Sequence, residues 1–162
     1  MADVKSNPPA AREEELRQAM ELLYFAYRDF TAEPDAILAR YGFGRAHHRA
    51  IYFVGRNPQM SVTELLTLLR ITKQSLSRVL SQLVRQGFIM QRPGSKDRRR
   101  RLLELTAKGA DLERHLSENQ RQRIANAYRQ SGAAAVEGFK RVMLAIISSD
   151  RDRRRFERPA QR

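Results

Sequence analysis

Across residues 71–109 the sequence switches from helical to strand periodicity and back, and each switch carries its own punctuation. Thr72 stands before Lys73-Gln74-Ser75-Leu76-Ser77-Arg78-Val79-Leu80, where its hydroxyl can accept from the free amides of a helix's first turn. Leu76, Val79, Leu80, Leu83 and Val84 recur at the i, i+3, i+4, i+7, i+8 interval of one buried helix face. Gly87 follows, the residue that most readily closes a helix in the left-handed region. A β-type run over 88–92 then meets a Pro93-Gly94 turn, and a second run over 101–105 leads to Thr106, suited to cap a new helix. Between the two runs stands Lys96-Asp97-Arg98-Arg99-Arg100-Arg101. The fold expected from this order is mainly α with one small, strongly cationic β-hairpin. A helix beside such a hairpin can engage two grooves of one DNA duplex.

Helical signals extend on both sides. Residues 1–11 read as a loose, disordered leader. A helix is expected over 12–31, with a stripe of Leu16, Met20, Leu23, Tyr24, Tyr27 and Phe30 that Leu22, Phe25 and Ala26 widen. Glu33-Pro34 is expected to break it, Pro34 opening a short helix to about Arg40. Gly42-Phe43-Gly44 forms a hinge into a helix over 45–55, which Asn57-Pro58 ends. Ser61-Val62-Thr63-Glu64 fits a capping box, opening a helix to about Leu69 that buries Val62, Leu65, Leu66 and Leu69. Beyond Thr106 a long helix reaches about Gln130, Ser131-Gly132 breaks it, and a last helix covers 133–148 with Val136, Phe139, Met143 and Ile146 on one side. The remaining tail, 149–162, holds six arginines and is expected to be disordered.

Charge narrows the partner. The chain carries 31 Lys+Arg against 18 Asp+Glu, net +13, an excess that favours a polyanion. From Leu65 to Lys96 there is no carboxylate, while Arg70, Lys73, Arg78, Arg85, Arg92 and Lys96 fall inside that window. Acids there would repel phosphates, so a duplex-facing surface accounts for their absence. On the 72–86 helix the side opposite the apolar stripe presents Gln74, Arg78, Ser81 and Arg85, with Lys73, Ser75 and Ser77 near its start. Gln suits the adenine edge and Arg the guanine edge, while hydroxyls reach phosphates or bases. Taken alone, that face would equally fit an ordinary solvated helix. The arginine run is bracketed by strand-forming residues, which favours an ordered finger over a tail. Arginines at such a tip suit the negative potential of a narrow minor groove, and Asp97 is placed to orient one of them.

The pattern Ile71-Thr72, Leu83, Gly87-Phe88-Ile89, Asp97-Arg98-Arg99 and Leu105-Thr106-Ala107-Lys108-Gly109 resembles the multiple-antibiotic-resistance-regulator (MarR) family. The hairpin's Asp-Arg-Arg and the Leu-Thr-x-x-Gly behind it carry most of the likeness, which spans about 12–148. Residues 43–51 also resemble the family's segment ahead of that pattern, with His47 where Gln is common. The resemblance implies a winged helix-turn-helix domain over 45–105. Flanking it are dimerisation helices over 12–44 and 106–148. It also implies a homodimer on a pseudo-palindromic double-stranded DNA site, Asp97 bracing the wing and Arg99 entering the minor groove. The DNA-facing set is then Thr72, Lys73, Gln74, Ser75, Ser77, Arg78, Arg85, Lys96, Asp97, Arg98, Arg99 and Arg100, with four consecutive arginines leaving open which one inserts. Dimerisation has its own physical argument. The stripe with Leu16, Met20 and Leu23 and the stripe with Phe139, Met143 and Ile146 offer more apolar surface than a small domain can cover.

Relatives in that family bind small aromatic or anionic molecules, and the corresponding candidates here are Tyr24, Tyr27, Phe43, His47, His48 and Tyr52, near Phe25, Arg49 and Ile51. Aromatic walls with a cation fit a phenol or carboxylate. The same spacing fits plain core, and both readings stand at this point. No metal or cofactor is expected. His47 and His48 are adjacent and diverge by about 100° on a helix, and the absence of cysteine excludes disulfides, thiolate ligands and thiol redox sensing. No phosphate-binding Gly loop, nucleophile elbow or paired His/carboxylate motif is present, so an enzyme is not expected. The longest apolar run, residues 142–147, is far below the roughly 20 residues needed to span a bilayer. The expectation is a cytoplasmic DNA-binding regulator, a ligand-responsive repressor, with a sequence-neutral nucleoid-type DNA binder as the rival.

Overall fold

In the computed structural model, which describes residues 9–157, helix α1 runs unbroken over Pro9–Ala39. The expected break at Pro34 does not occur. A proline inside a helix leaves the carbonyl four residues earlier without its amide donor. Here that carbonyl belongs to Phe30, and the Gln120 side-chain amide donates to it at 3.1 Å. Pro34 itself is buried, so α1 keeps its course with the orphaned acceptor satisfied from outside. The helix also begins at Pro9, inside the segment expected to be a loose leader; residues 1–8 lie outside the described residues.

The chain continues through α2 (Arg45–Arg56), β1 (Met60–Ser61), α3 (Val62–Leu69), α4 (Lys73–Arg85), β2 (Ile89–Pro93), β3 (Arg101–Leu105), α5 (Ala107–Ser131), α6 (Ala133–Ile146) and α7 (Asp150–Arg153). The boundaries follow the sequence signals. Ser61 Oγ accepts from the Glu64 amide and Glu64 accepts from the Ser61 amide, closing the capping box. Thr72 Oγ1 accepts from the Ser75 amide, and Gly87 takes φ +79° after α4. The sheet is antiparallel in the order β1-β3-β2. The expected hairpin pairs Ile89 with Leu105 and Pro93 with Arg101. The third strand, β1, pairs Met60 with Leu103 and was not expected, since two residues are too short to show alternation.

Folding comes to two compact units, one ending at Gln120 and one beginning at Arg121. In the first, Leu38, Ile51, Val54, Leu65, Leu76, Leu83, Phe88, Ile89, Leu103 and Leu116 are fully buried in one core. Burying an aliphatic or aromatic side chain of this kind stabilises by about 1.5–3 kcal/mol. In the second, the Tyr128 ring meets Phe139 edge-on at 6.3 Å, and α6 buries none of its side chains. Within the tail expected to be disordered, α7 covers Asp150–Arg153. Ser149 caps α7 by accepting from the Asp152 amide at 3.3 Å, and Arg153 pairs with Asp150 and Arg155 with Asp152. Those i,i+3 pairs give the arginine run local partners; residues 158–162 lie outside the described residues. No described helix is long and apolar enough to cross a membrane.

One corner fixes α4 against the sheet and α5. Thr106 donates its amide to the Phe88 carbonyl at 3.1 Å and its hydroxyl to the Gly87 carbonyl at 2.5 Å. The same hydroxyl accepts from the Gly109 amide at 3.0 Å. Lys108 reaches back to the Gln86 carbonyl at the end of α4 (2.8 Å) while its ammonium lies over the Phe88 ring. Gly109 is required by space: a Cβ there would stand 2.0 Å from the Phe88 carbonyl oxygen. Gly109→Ala should therefore push α5 off the corner and cost about 3 kcal/mol or more. A urea midpoint unchanged from wild type would contradict this contact.

Candidate nucleic-acid interface

Helix α4 sorts its side chains cleanly. Leu76, Val79, Leu80 and Leu83 are buried, while Lys73, Gln74, Ser75, Ser77, Arg78, Ser81 and Arg85 are exposed, as is Thr72 at its cap. Val84 departs from the expected buried set at 38 % exposure, because it lies at the edge of the stripe. The Thr72 hydroxyl also donates to Ser75 Oγ at 2.8 Å, so two of the candidate hydroxyls are mutually oriented.

Gln82 carries no functional signal in the sequence. It is half-buried on the flank of α4, where its Oε1 lies 2.5 Å from His47 Nε2. His47 Nδ1 accepts from the Gly44 amide at 3.0 Å, which leaves Nε2 as the protonated nitrogen that donates to Gln82. His47 is thus a polar tie between the start of α2 and α4, its ring stacked on Phe43 at 4.6 Å. A His and a Gln 35 positions apart give no signal of this pairing in the sequence.

The wing is closed by its own backbone. Gly94 donates to the Arg100 carbonyl (2.9 Å) and Arg100 to the Asp97 carbonyl (3.1 Å). Asp97 was expected to orient an arginine side chain; its Oδ1 instead accepts from the Arg99 main-chain amide at 3.0 Å. Arg100 points to Glu64 on α3 (3.4 Å), and Arg92 to Glu104 across the sheet (3.7 Å). Lys96, Arg98 and Arg99 are exposed and, among the described residues, have no carboxylate at pairing distance. Hydrogen bonding to the Ser61 backbone amide, foremost, holds the Glu64 carboxyl below the usual carboxylate range, with Arg100 adding to it.

Of the candidates for pairing two copies, Leu16, Met20, Leu23, Phe139 and Ile146 are exposed and Met143 is half-buried. The candidates for a small molecule do not all come together in one site. Tyr24 and Tyr27 line an open cleft of about 610 Å³ with Leu23, Arg28 and Arg45. Arg45 pairs with Asp35 at 3.2 Å and its guanidinium lies 5.5 Å from the Tyr27 ring centre. Arg49 donates to the Tyr27 hydroxyl at 3.3 Å. Phe43 is core, and His47 is engaged with Gln82. Tyr52 is exposed and packs edge-on against Phe53. His48 is half-buried; burial lowers its pKa, partly offset by Asp35 and Glu113. Among the described residues, no cluster of three or more His, Asp or Glu could hold a metal.

A capped helix with an acid-free outer face beside a self-closed cationic hairpin is the architecture of a winged helix-turn-helix domain. Residues 41–100 match the MarR family. The helix-turn-helix transcriptional regulator PetP of Rhodobacter capsulatus is 52% identical over 135 residues, covering 83% of this chain and 81% of that protein. Two solved structures share the fold. A MarR family transcription regulator superposes with TM-score 0.71 at 20% identity, covering 86% of this chain and 93% of its own. FabT of Streptococcus pneumoniae, in complex with DNA, gives 0.65 at 20%, covering 80% and 94%. The chain belongs to the MarR family of DNA-binding transcription regulators, and is not an enzyme.

The lowered His48 pKa sets a direction for acid stability. Below its ordinary value near 6.5 the unfolded chain binds this proton more readily than the folded one, so stability falls as pH falls. His48→Gln should lose less stability than wild type between about pH 7 and pH 5, measured by urea midpoints. Equal losses would remove His48 from that account.

Proposed function

We propose that this protein is a sequence-specific transcriptional repressor that binds double-stranded DNA as a homodimer. Each copy would lay α4 in the major groove and its wing in the flanking minor groove. The observation that carries this reading is the α4 face itself. Thr72, Lys73, Gln74, Ser75, Ser77, Arg78 and Arg85 are all exposed within a sequence window that holds no carboxylate. A fold neighbour, FabT, was solved in complex with DNA. Gln74 and Arg78, opposite the buried stripe, are assigned to bases; Lys73 and the hydroxyls of Thr72, Ser75 and Ser77 fall to phosphates or base edges. Arg85, Lys96, Arg98 and Arg99 supply the electrostatic contact.

Exposed apolar side chains support the dimer. Leu16, Met20 and Leu22 on α1 and Phe139, Val142 and Ile146 on α6 stand in water in the single chain, and a two-fold contact would bury them. The same symmetry fits half-sites about one helical turn apart. The cleft of Leu23, Tyr24, Tyr27, Arg28 and Arg45 suits a small aromatic anion that would retune DNA affinity, an aromatic wall facing two guanidinium groups. Such a regulator works where its operators are, in the cytoplasm.

Selection of bound fragments from a random duplex pool at physiological salt should return a pseudo-palindrome. Binding without enrichment would favour a sequence-neutral DNA binder. On the selected site Arg78→Ala should cost about 1–3 kcal/mol and relax preference at one base position of each half-site. Undiminished discrimination would remove Arg78 from base reading.

A further inference from the structure

We propose that Glu64 serves as an intramolecular counter-ion that withdraws Arg100 from the DNA-contacting set, leaving Arg98 and Arg99 as the wing arginines that meet phosphate. The inference rests on the DNA-binding reading above and assigns unequal roles within the run of four arginines.

Glu64 is held in place independently of Arg100. One carboxylate oxygen accepts from the Ser61 amide at 2.7 Å as part of the α3 cap, and the other faces Arg100 Nη2 at 3.4 Å. The cap also keeps the group ionised. Arg100, for its part, leaves the hairpin from the base of the turn. Its amide bonds to the Asp97 carbonyl and its carbonyl accepts from Gly94, which directs the side chain back towards α3. Arg98 and Arg99 lie between those two anchors, their loop shaped by the Asp97 carboxylate on the Arg99 amide. The sequence order agrees. Glu64 is the last acid before the acid-free window and Asp97 the first after it, and both carboxylates are occupied.

An exposed ion pair of this kind adds little to stability. Its consequence lies in charge. An arginine already neutralised by a carboxylate releases no counter-ion on reaching DNA, so it leaves no mark on the salt dependence of binding.

The test is the slope of log affinity against log salt, from about 50 to 200 mM, for the full-length protein on one selected duplex. Arg99→Gln and Arg98→Gln should each flatten the slope by roughly one. Glu64→Gln, which keeps an oxygen for the Ser61 amide, should free Arg100 and steepen the slope by roughly one. Glu64→Gln combined with Arg100→Gln should return it to the wild-type value. Flattening by the double variant as large as that by Arg99→Gln, or an unaltered slope in Glu64→Gln, would overturn the proposal. Should Glu64→Gln fail to fold by circular dichroism, the guanidinium NMR signals of the wild-type protein decide: on adding duplex those of Arg98 and Arg99 should shift and that of Arg100 should not, and an Arg100 shift as large as theirs would overturn the proposal. A wild-type protein that binds no duplex would overturn the DNA-binding reading itself.

Discussion

The close approach of Gly109 to the Phe88 carbonyl governs how α4 and the wing are set beside each other. Because no Cβ intervenes, the first turn of α5 lies directly on the corner where α4 ends and β2 begins. Thr106 and Lys108 then tie that turn to three successive carbonyls, those of Gln86, Gly87 and Phe88. Three elements meet there with nearly every polar group answered, so the direction of α4 and the root of the wing are set together. Mounted this way, α4 has its outer face fixed in direction by the same contacts that hold the wing.

On that frame, electrostatics decides what the surface can do. The outer face of α4 and the tip of the wing carry cations, and the nearest acids are each spoken for: Glu64 by the α3 cap and Arg100, Asp97 by the Arg99 amide, Glu104 by Arg92. Placed on the DNA-facing side without such partners, the same carboxylates would oppose a polyanion. The polar tie from His47 to Gln82 secures the other flank of α4 against α2. Helix α2 also carries Arg45, whose guanidinium lines the open cleft beside α1.

Much of the fold was legible because its signals are local. The Ser61–Glu64 box, the Thr72 and Thr106 caps, the Gly87 stop and the apolar stripe of α4 all act within a few residues. What escaped the sequence depends on distant partners. Pro34 reads as a break unless Gln120 is known to reach the Phe30 carbonyl. Strand β1 exists only because β3 runs beside it. Phe43 and His47, whose chemistry could hold a ligand, are a core ring and a tie to Gln82, while Arg28 and Arg45 reach the cleft by the packing of α1 and α2. The tail reads as disordered from its arginines, yet Ser149, Asp150 and Asp152 provide a cap and i,i+3 partners for a short helix.

The central claim is that a two-fold pair of these surfaces reads DNA through α4 and the wing together. Footprinting on a selected duplex tests it most directly, pairing hydroxyl-radical cleavage of the backbone with methylation interference at guanine N7 in the major groove. Two major-groove patches should appear about one helical turn apart, each flanked on its outer side by a protected minor groove. Uniform protection along the fragment, or a single patch without flanking minor-groove protection, would contradict the account.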